Sequence, residues 1–167
     1  NVKGKSIILE PCSRNTAPAI ALGALKALAI DKDPILLILS SDHQIKDPIN
    51  FRKSITKGLI PVNDNKLVVF GINPLNPETG YGYIKAKQPL KNNNFESIDI
   101  EEFVEKPDYQ TALRYIQDKR YLWNSGIFLF KANTIINELK KYEPKIIANC
   151  MAAIKKEKTD LDFQRIN

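Results

Sequence analysis

Apolar and polar positions alternate along the chain at two periods. Ile7–Glu10 is a short apolar run of strand length, and the Ala-rich stretch Ala17–Ile30 follows as a helix. Asn15 or Thr16 is placed to cap it, and Pro18 is tolerated in its first turn. Pro34 then stops any helix, and "ILLIL" (Ile35–Leu39) is an unbroken apolar run, the pattern of a strand covered on both faces in a parallel sheet. A polar loop, "SSDHQIKDP", ends with Asp47 as a cap and Pro48 opening a helix that carries Phe51, Ile55 and Leu59. Lys66–Ile72 is a further buried strand, so the first half reads strand, helix, strand, helix, strand, an α/β order.

After Ile72 the rhythm changes. "NPLNPETGYGYIKAK" is a Pro/Gly loop running into a strand, and "FESIDIEEFVEKP" alternates as a half-exposed antiparallel strand does. Asp108 is placed to cap a helix through Lys119, Gly126–Lys131 is again a strand, and helices over Ala132–Tyr142 and Pro144–Lys158 close the chain. There is no repeat and no low-complexity tract. The expectation is one domain over 1–167, a parallel α/β front half with a mixed sheet behind it. Because the chain opens directly in a strand that should have neighbours, the sheet is expected to be incomplete.

Composition narrows the function classes. A hydrophobic share of 43% over 167 residues suffices for a globular core. The formal net charge of +6 comes from dispersed lysines rather than a basic stripe interleaved with aromatics, which argues against nucleic-acid binding. Two distant cysteines, Cys12 and Cys150, and the single His43 exclude a Cys/His zinc site and make a disulfide framework improbable. No apolar run approaches the roughly 20 residues of a membrane span. The expected location is the cytoplasm.

Several residue types stand where open α/β sheets place ligands. Asp42 follows the C-terminal end of the Ile35–Leu39 strand, where a carboxylate either holds Mg²⁺ against phosphates or caps the next turn. Glu10 offers two acceptors that match guanine's adjacent N1–H and N2 donors and mismatch adenine, or it is a solvated strand-end acid. Asn15 and Thr16 add base or ribose contacts, or simply cap a helix. Glu105 and Lys106 end a strand on opposite faces, suited to sugar hydroxyls and to a phosphate, or are exposed charges before Pro107. In "LWNSGIFLF" the amide of Asn124 interrupts an apolar segment beside Trp123, and Gly80 and Gly82 allow close backbone approach or a plain turn.

Taken in order, "EPCSRNTAPAIAL", "SSDH", "FGINPLNPETGYGYI", "FVEKPD" and "YLWNSGIFLF" closely resemble the mannose-1-phosphate guanylyltransferase family from Ile7 to about Pro144. The resemblance implies a Rossmann-like, GT-A-like nucleotidyltransferase fold: a mixed sheet flanked by helices. It implies conversion of GTP and mannose 1-phosphate into GDP-mannose and pyrophosphate with Mg²⁺. It also implies that Glu10, Asn15 and Thr16 read guanine, that Asp42 holds the metal, that Gly82, Glu105 and Asn124 contact mannose, and that Lys106 holds its phosphate. Asp42 and Lys106 would be the catalytic pair. The family's Gly-rich phosphate loop and second metal-binding Asp have no counterpart here. The expectation is therefore an internal fragment, incomplete at both ends and inactive alone, which either self-associates through exposed sheet edges or is held by the missing segment as a separate chain. The competing readings are a pyrophosphorylase for another sugar or base, and a non-catalytic nucleotide-sugar-binding module.

Overall fold

The elements run β1 (Ile7–Leu9), α1 (Thr16–Leu28), β2 (Ile35–Ile38), α2 (Pro48–Asn63), β3 (Val68–Ile72), β4 (Gly82–Ala86), β5 (Ile100–Glu105), α3 (Tyr109–Gln117), β6 (Tyr121–Lys131), α4 (Ala132–Tyr142), α5 (Pro144–Lys155), β7 (Lys158–Asp160) and β8 (Phe163–Arg165). This is a computed structural model, and it describes residues 6–12, 14–89, 95–161 and 163–166. The chain divides into two units, Asn1–Ile35 with Lys131–Asn167, and Leu36–Phe130.

In the first unit α1, α4 and α5 pack on one another through Ala21, Leu22 and Ala24, Ala132 and Ile136, and Ile147 and Cys150, all buried. The small alanines let the helices approach closely. The start of α4 has no capping side chain of its own at Lys131. Its orphan donors are met from about a hundred residues away in sequence. Asp33 accepts the Asn133 N–H at 2.9 Å, and the Pro34 carbonyl accepts the Ala132 N–H at 2.9 Å. Lys26 and Glu157 form a partly buried ion pair between α1 and the residues following α5. The last helix ends at Lys155, short of the Lys158 expected, and a β7–β8 hairpin follows, with β8 pairing parallel to β1. Three-residue strands have too few positions for alternation to be read.

The second unit holds a five-stranded sheet in the order β2-β6-β4-β5, with β3 also pairing β6. The expected parallel front half is corrected here. Among the described residues β1, β2 and β3 do not pair with one another; β1 joins β8, and β3 runs antiparallel to β6. Nor is β2 covered on both faces: Ile35 and Leu39 are 42% and 52% exposed. An apolar run reports residue type and is silent on which strand lies alongside. Strand β6 is longer than expected, taking in Tyr121–Ser125.

On one face of this sheet α3 covers an aromatic cluster. Tyr83 is fully buried and donates its hydroxyl to the Glu78 carbonyl at 3.0 Å, while Tyr115 stacks on Tyr121 at 3.9 Å above the buried Ala112. Helices α2 and α3 start as the sequence predicts, with α3 ending at Gln117 rather than Lys119. Asp47 accepts the Asn50 N–H at 3.0 Å, and Asp108 accepts the Thr111 N–H at 2.9 Å and its hydroxyl at 2.8 Å. Those backbone donors, first among the causes, hold both carboxyls below the ordinary 3.8. A lowered folded-state pKa gives stability that is complete above the unfolded value and is lost as pH falls through the folded one. Asp108→Ala should therefore lower the Tm by a few degrees at pH 7. The gap to the unsubstituted protein should close as pH falls below 3.8. Thermal melts across that range check it, and a gap of constant size would exclude the cap.

Candidate active site

Glu10 leaves the end of β1 exposed to solvent, and Arg14 donates its Nε to the Cys12 sulfur at 3.2 Å. Glu10, Cys12, Arg14, Leu22, Cys150 and Lys156 are among the walls of a cavity of about 500 Å³ within the first unit. Burial and then the Glu10 carboxylate push the Cys150 thiol up, which places that carboxylate close to the cavity's inner wall. Asn15 and Thr16 do not line it. Asn15 stands at the N-cap position of α1, but its side chain makes no capping hydrogen bond. Its backbone, at φ 55° and ψ −174°, occupies a region open essentially to glycine alone. Thr16 is the exposed first residue of the helix. The expected cap is thus in place without its bond, and both side chains remain available.

In the second unit three expected residues meet. Gly82 lies opposite Glu105 in the β4–β5 ladder, and Asn124 pairs with Gly71 on β3. A Cβ on Gly82 would lie 2.7 Å from Glu105 Oε2 and 3.7 Å from Asn124 Cβ. Gly82, Glu105 and Asn124 therefore share one patch, and only a glycine leaves room for the carboxylate. Gly80 has open space where a Cβ would go, so its lack of a side chain is not sterically required. Asn124 Oδ1 accepts the Gly126 N–H at 3.1 Å, and among the described residues no hydrogen bond uses its amide donors. Trp123, although adjacent in sequence, joins the aromatic cluster of Tyr83 and Tyr121 on the opposite face, edge-on to Tyr81 at 5.3 Å.

Lys106 departs from the expected geometry. Strand alternation ends at Glu105; Lys106 has φ 48°, and its N–H donates to the Tyr81 carbonyl at 3.2 Å. The reversed backbone brings Lys106 Nζ to 3.3 Å from Glu105 Oε1 instead of the opposite face. Both side chains are more than 60% exposed, so the pair is screened and weak, and a phosphate can replace it. Asp42 lies in the exposed turn after β2 and makes no hydrogen bond or ion pair among the described residues; Asp47, not Asp42, caps α2. No group of three or more His, Cys, Asp or Glu residues gathers among the described residues. Nor is any described helix long and apolar enough to cross a membrane.

Residues 3–167 match the family model described as nucleotidyl transferase. The chain belongs to this family. This nucleotidyl transferase is 48% identical over 164 residues to the mannose-1-phosphate guanylyltransferase RfbM of Salmonella typhimurium. It is 46% identical over 166 residues to the xanthan biosynthesis protein XanB of Xanthomonas campestris pv. campestris. Those alignments take in 97% and 99% of this chain, and the chain spans about a third of its curated relatives, 34% in both cases. Among solved structures, one described as mannose-6-phosphate isomerase from Helicobacter pylori superposes with a TM-score of 0.81 at 32% identity, covering 96% of this chain and 59% of that one. The mixed α/β architecture, sheets flanked by helices, is that of the nucleotidyl transferases.

Four non-glycine residues among those described have positive φ: Asn15, Asn65, Lys106 and Leu161. Two of them, Asn15 and Lys106, are among the residues the sequence singles out, and strained backbone gathers at ligand sites. Arg14 and Lys156 also line the first unit's cavity, and Lys156 lies far from Glu10 in sequence, with no local signal that points to it. Asn15→Gly should relieve the strain and stabilise the fold by about 1 kcal/mol, the strain released less glycine's entropy cost. Denaturant melts measure this, and a loss of stability would show the conformation to be unstrained.

Proposed function

We propose that this nucleotidyl transferase chain carries the recognition apparatus of a mannose-1-phosphate guanylyltransferase, which transfers GMP from GTP to mannose 1-phosphate and releases pyrophosphate. The observation that carries the reading is the patch on which Gly82, Glu105 and Asn124 converge, with Lys106 turned back beside it. A carboxylate accepts from vicinal hydroxyls, a carboxamide donates, and the bare backbone of Gly82 lets a pyranose approach. The Lys106 ammonium exchanges its exposed carboxylate partner for the sugar's phosphate. The identity to mannose-1-phosphate guanylyltransferases supports the choice of sugar and base.

In this reading a mannose 1-phosphate oxygen attacks the α-phosphorus of GTP in line, and the bond to pyrophosphate breaks. Such transfer depends on positioning and charge neutralisation rather than on a protein nucleophile. Glu10 accepts from the guanine edge, with Asn15 and Thr16 contributing from the start of α1, and Lys106 balances charge on the sugar phosphate. Asp42 fits the needs of Mg²⁺, which takes one or two carboxylates and completes its shell with phosphate oxygens and water. Its acceptors carry no competing bond among the described residues. When bound, the ion would polarise the phosphate oxygens. The two units are read as parts of one nucleotidyltransferase domain, acting in the cytoplasm on GTP and mannose 1-phosphate and yielding GDP-mannose.

Two substitutions in the polypeptide of full natural length test this. Glu10→Gln should weaken use of GTP relative to ATP by about 100-fold, because a mismatched polar edge is left facing the base. Equal loss with both nucleotides would remove Glu10 from base recognition. Lys106→Ala should raise KM for mannose 1-phosphate about tenfold or more with little change for GTP, as expected for loss of a charge-assisted contact. Steady-state pyrophosphate release measures it, and a GTP-specific defect would overturn the role of Lys106.

A further inference from the structure

The ladder between β3 and β6 slips between Val69 and Gly71. Phe70 lies at the slip, and its carbonyl accepts the hydroxyl of Ser125 at 2.5 Å. The Ser125 Oγ in turn accepts the Ile127 N–H at 3.1 Å, and Ser125 is 7% exposed. A hydroxyl has one proton and two lone pairs, so it can serve both bonds at once. Ser125 is the one polar residue in the buried core of the described residues. A bulge disrupts the regular ladder, and here a side chain supplies bonds that backbone would otherwise make. Asn124 precedes it, in register with Gly71, and Gly126 follows at φ 68°. A side chain on Gly71 would overlap Leu122 and approach Ile84 Cδ1 to 3.1 Å, so the position opposite Asn124 has no room for one.

We propose that Ser125 is a positioning residue for substrate binding: its hydroxyl fixes the β3–β6 bulge and so aims the Asn124 carboxamide at the patch formed by Gly82 and Glu105. This inference rests on the reading of that patch as the sugar-phosphate site. Ser125 itself touches no substrate. Its effect passes through the backbone of Asn124, whose own amide bond to Gly126 spans the serine.

Thr and Val have nearly the same shape and both suit strands, so Ser125→Thr and Ser125→Val differ in the hydroxyl alone. Both are made in the polypeptide of full natural length, with Ser125→Ala as a hydroxyl deletion that adds no bulk. One readout is the side-chain amide signal of Asn124 in ¹⁵N-asparagine-labelled protein, assigned by its loss in Asn124→Asp. The other is KM for mannose 1-phosphate against KM for GTP. The threonine variant should keep the Asn124 signal and both KM values. The valine and alanine variants should shift or broaden that signal and raise only the sugar-phosphate KM, by about tenfold, as a misplaced contact does. An unmoved Asn124 signal in valine and alanine variants overturns the proposal. So does a moved signal with an unchanged sugar-phosphate KM, or an equal rise for both substrates. If the unsubstituted protein turns over no mannose 1-phosphate, the functional reading falls, and the Asn124 signal still decides whether Ser125 positions that side chain.

Discussion

A strand with neighbours along its length must give every backbone N–H and C=O a partner, and β6 draws its partners from three other strands. It pairs with β4 over Tyr121–Trp123 and with β3 over Trp123–Leu129, and it also borders β2. Its ladder with β3 slips in register between Val69 and Gly71. Three consecutive residues absorb it: Asn124 bonds forward to Gly126, Ser125 closes the gap at Phe70, and Gly126 takes a left-handed conformation. The polar interruption of an apolar segment is thus a consequence of ladder geometry first. In the proposed reading, the recognition patch is assembled on it.

The acidic stretch Glu96–Glu105 separates in the same way into structural and available charges. Glu101 lies 2.7 Å from Lys85 and 3.6 Å from Arg120, and Arg120 also holds Asp118 at 2.8 Å. The bond to Lys85 keeps the Glu101 carboxyl below its ordinary range, and Glu101 raises Lys85 in return. Asp99 is lowered by Lys66, then by Lys87. These pairs connect β5 and the segment before it to the residues leading into β3, to β4 and the residue after it, and to the turn before β6. Glu105, at the strand end, has among the described residues only the exposed Lys106 as an ionic partner. In the proposed reading, being weakly held is what suits both groups to a ligand.

Strain follows the same division of labour. Asn15 and Lys106 sit where an element begins or ends, and each is constrained by what surrounds it. The Tyr81 carbonyl fixes the Lys106 N–H, and α1 is anchored along its length by α4 and α5. Rigid elements therefore carry the cost of two unfavourable backbone conformations, and their side chains stay out of local capping bonds.

The sequence by itself determined the α/β class, the starts of α1, α2 and α3, and the identity of the candidate residues. Those rest on local physics: apolar periodicity, an Asp three residues before the N–H it caps, a proline that halts a helix. It could not determine pairing. An apolar run such as Ile35–Leu39 does not specify its neighbours, and the expected parallel set gave way to β3 lying antiparallel on β6. Alternation likewise placed Glu105 and Lys106 on opposite faces, and one positive φ, stabilised by a carbonyl 25 positions upstream, reversed it. Tertiary structure alone decided that Gly82 rather than Gly80 must be bare, because only there does a carboxylate from another strand fill the space of a side chain. Contacts between residues distant in the chain are set by the packing of whole elements, and no local pattern encodes them.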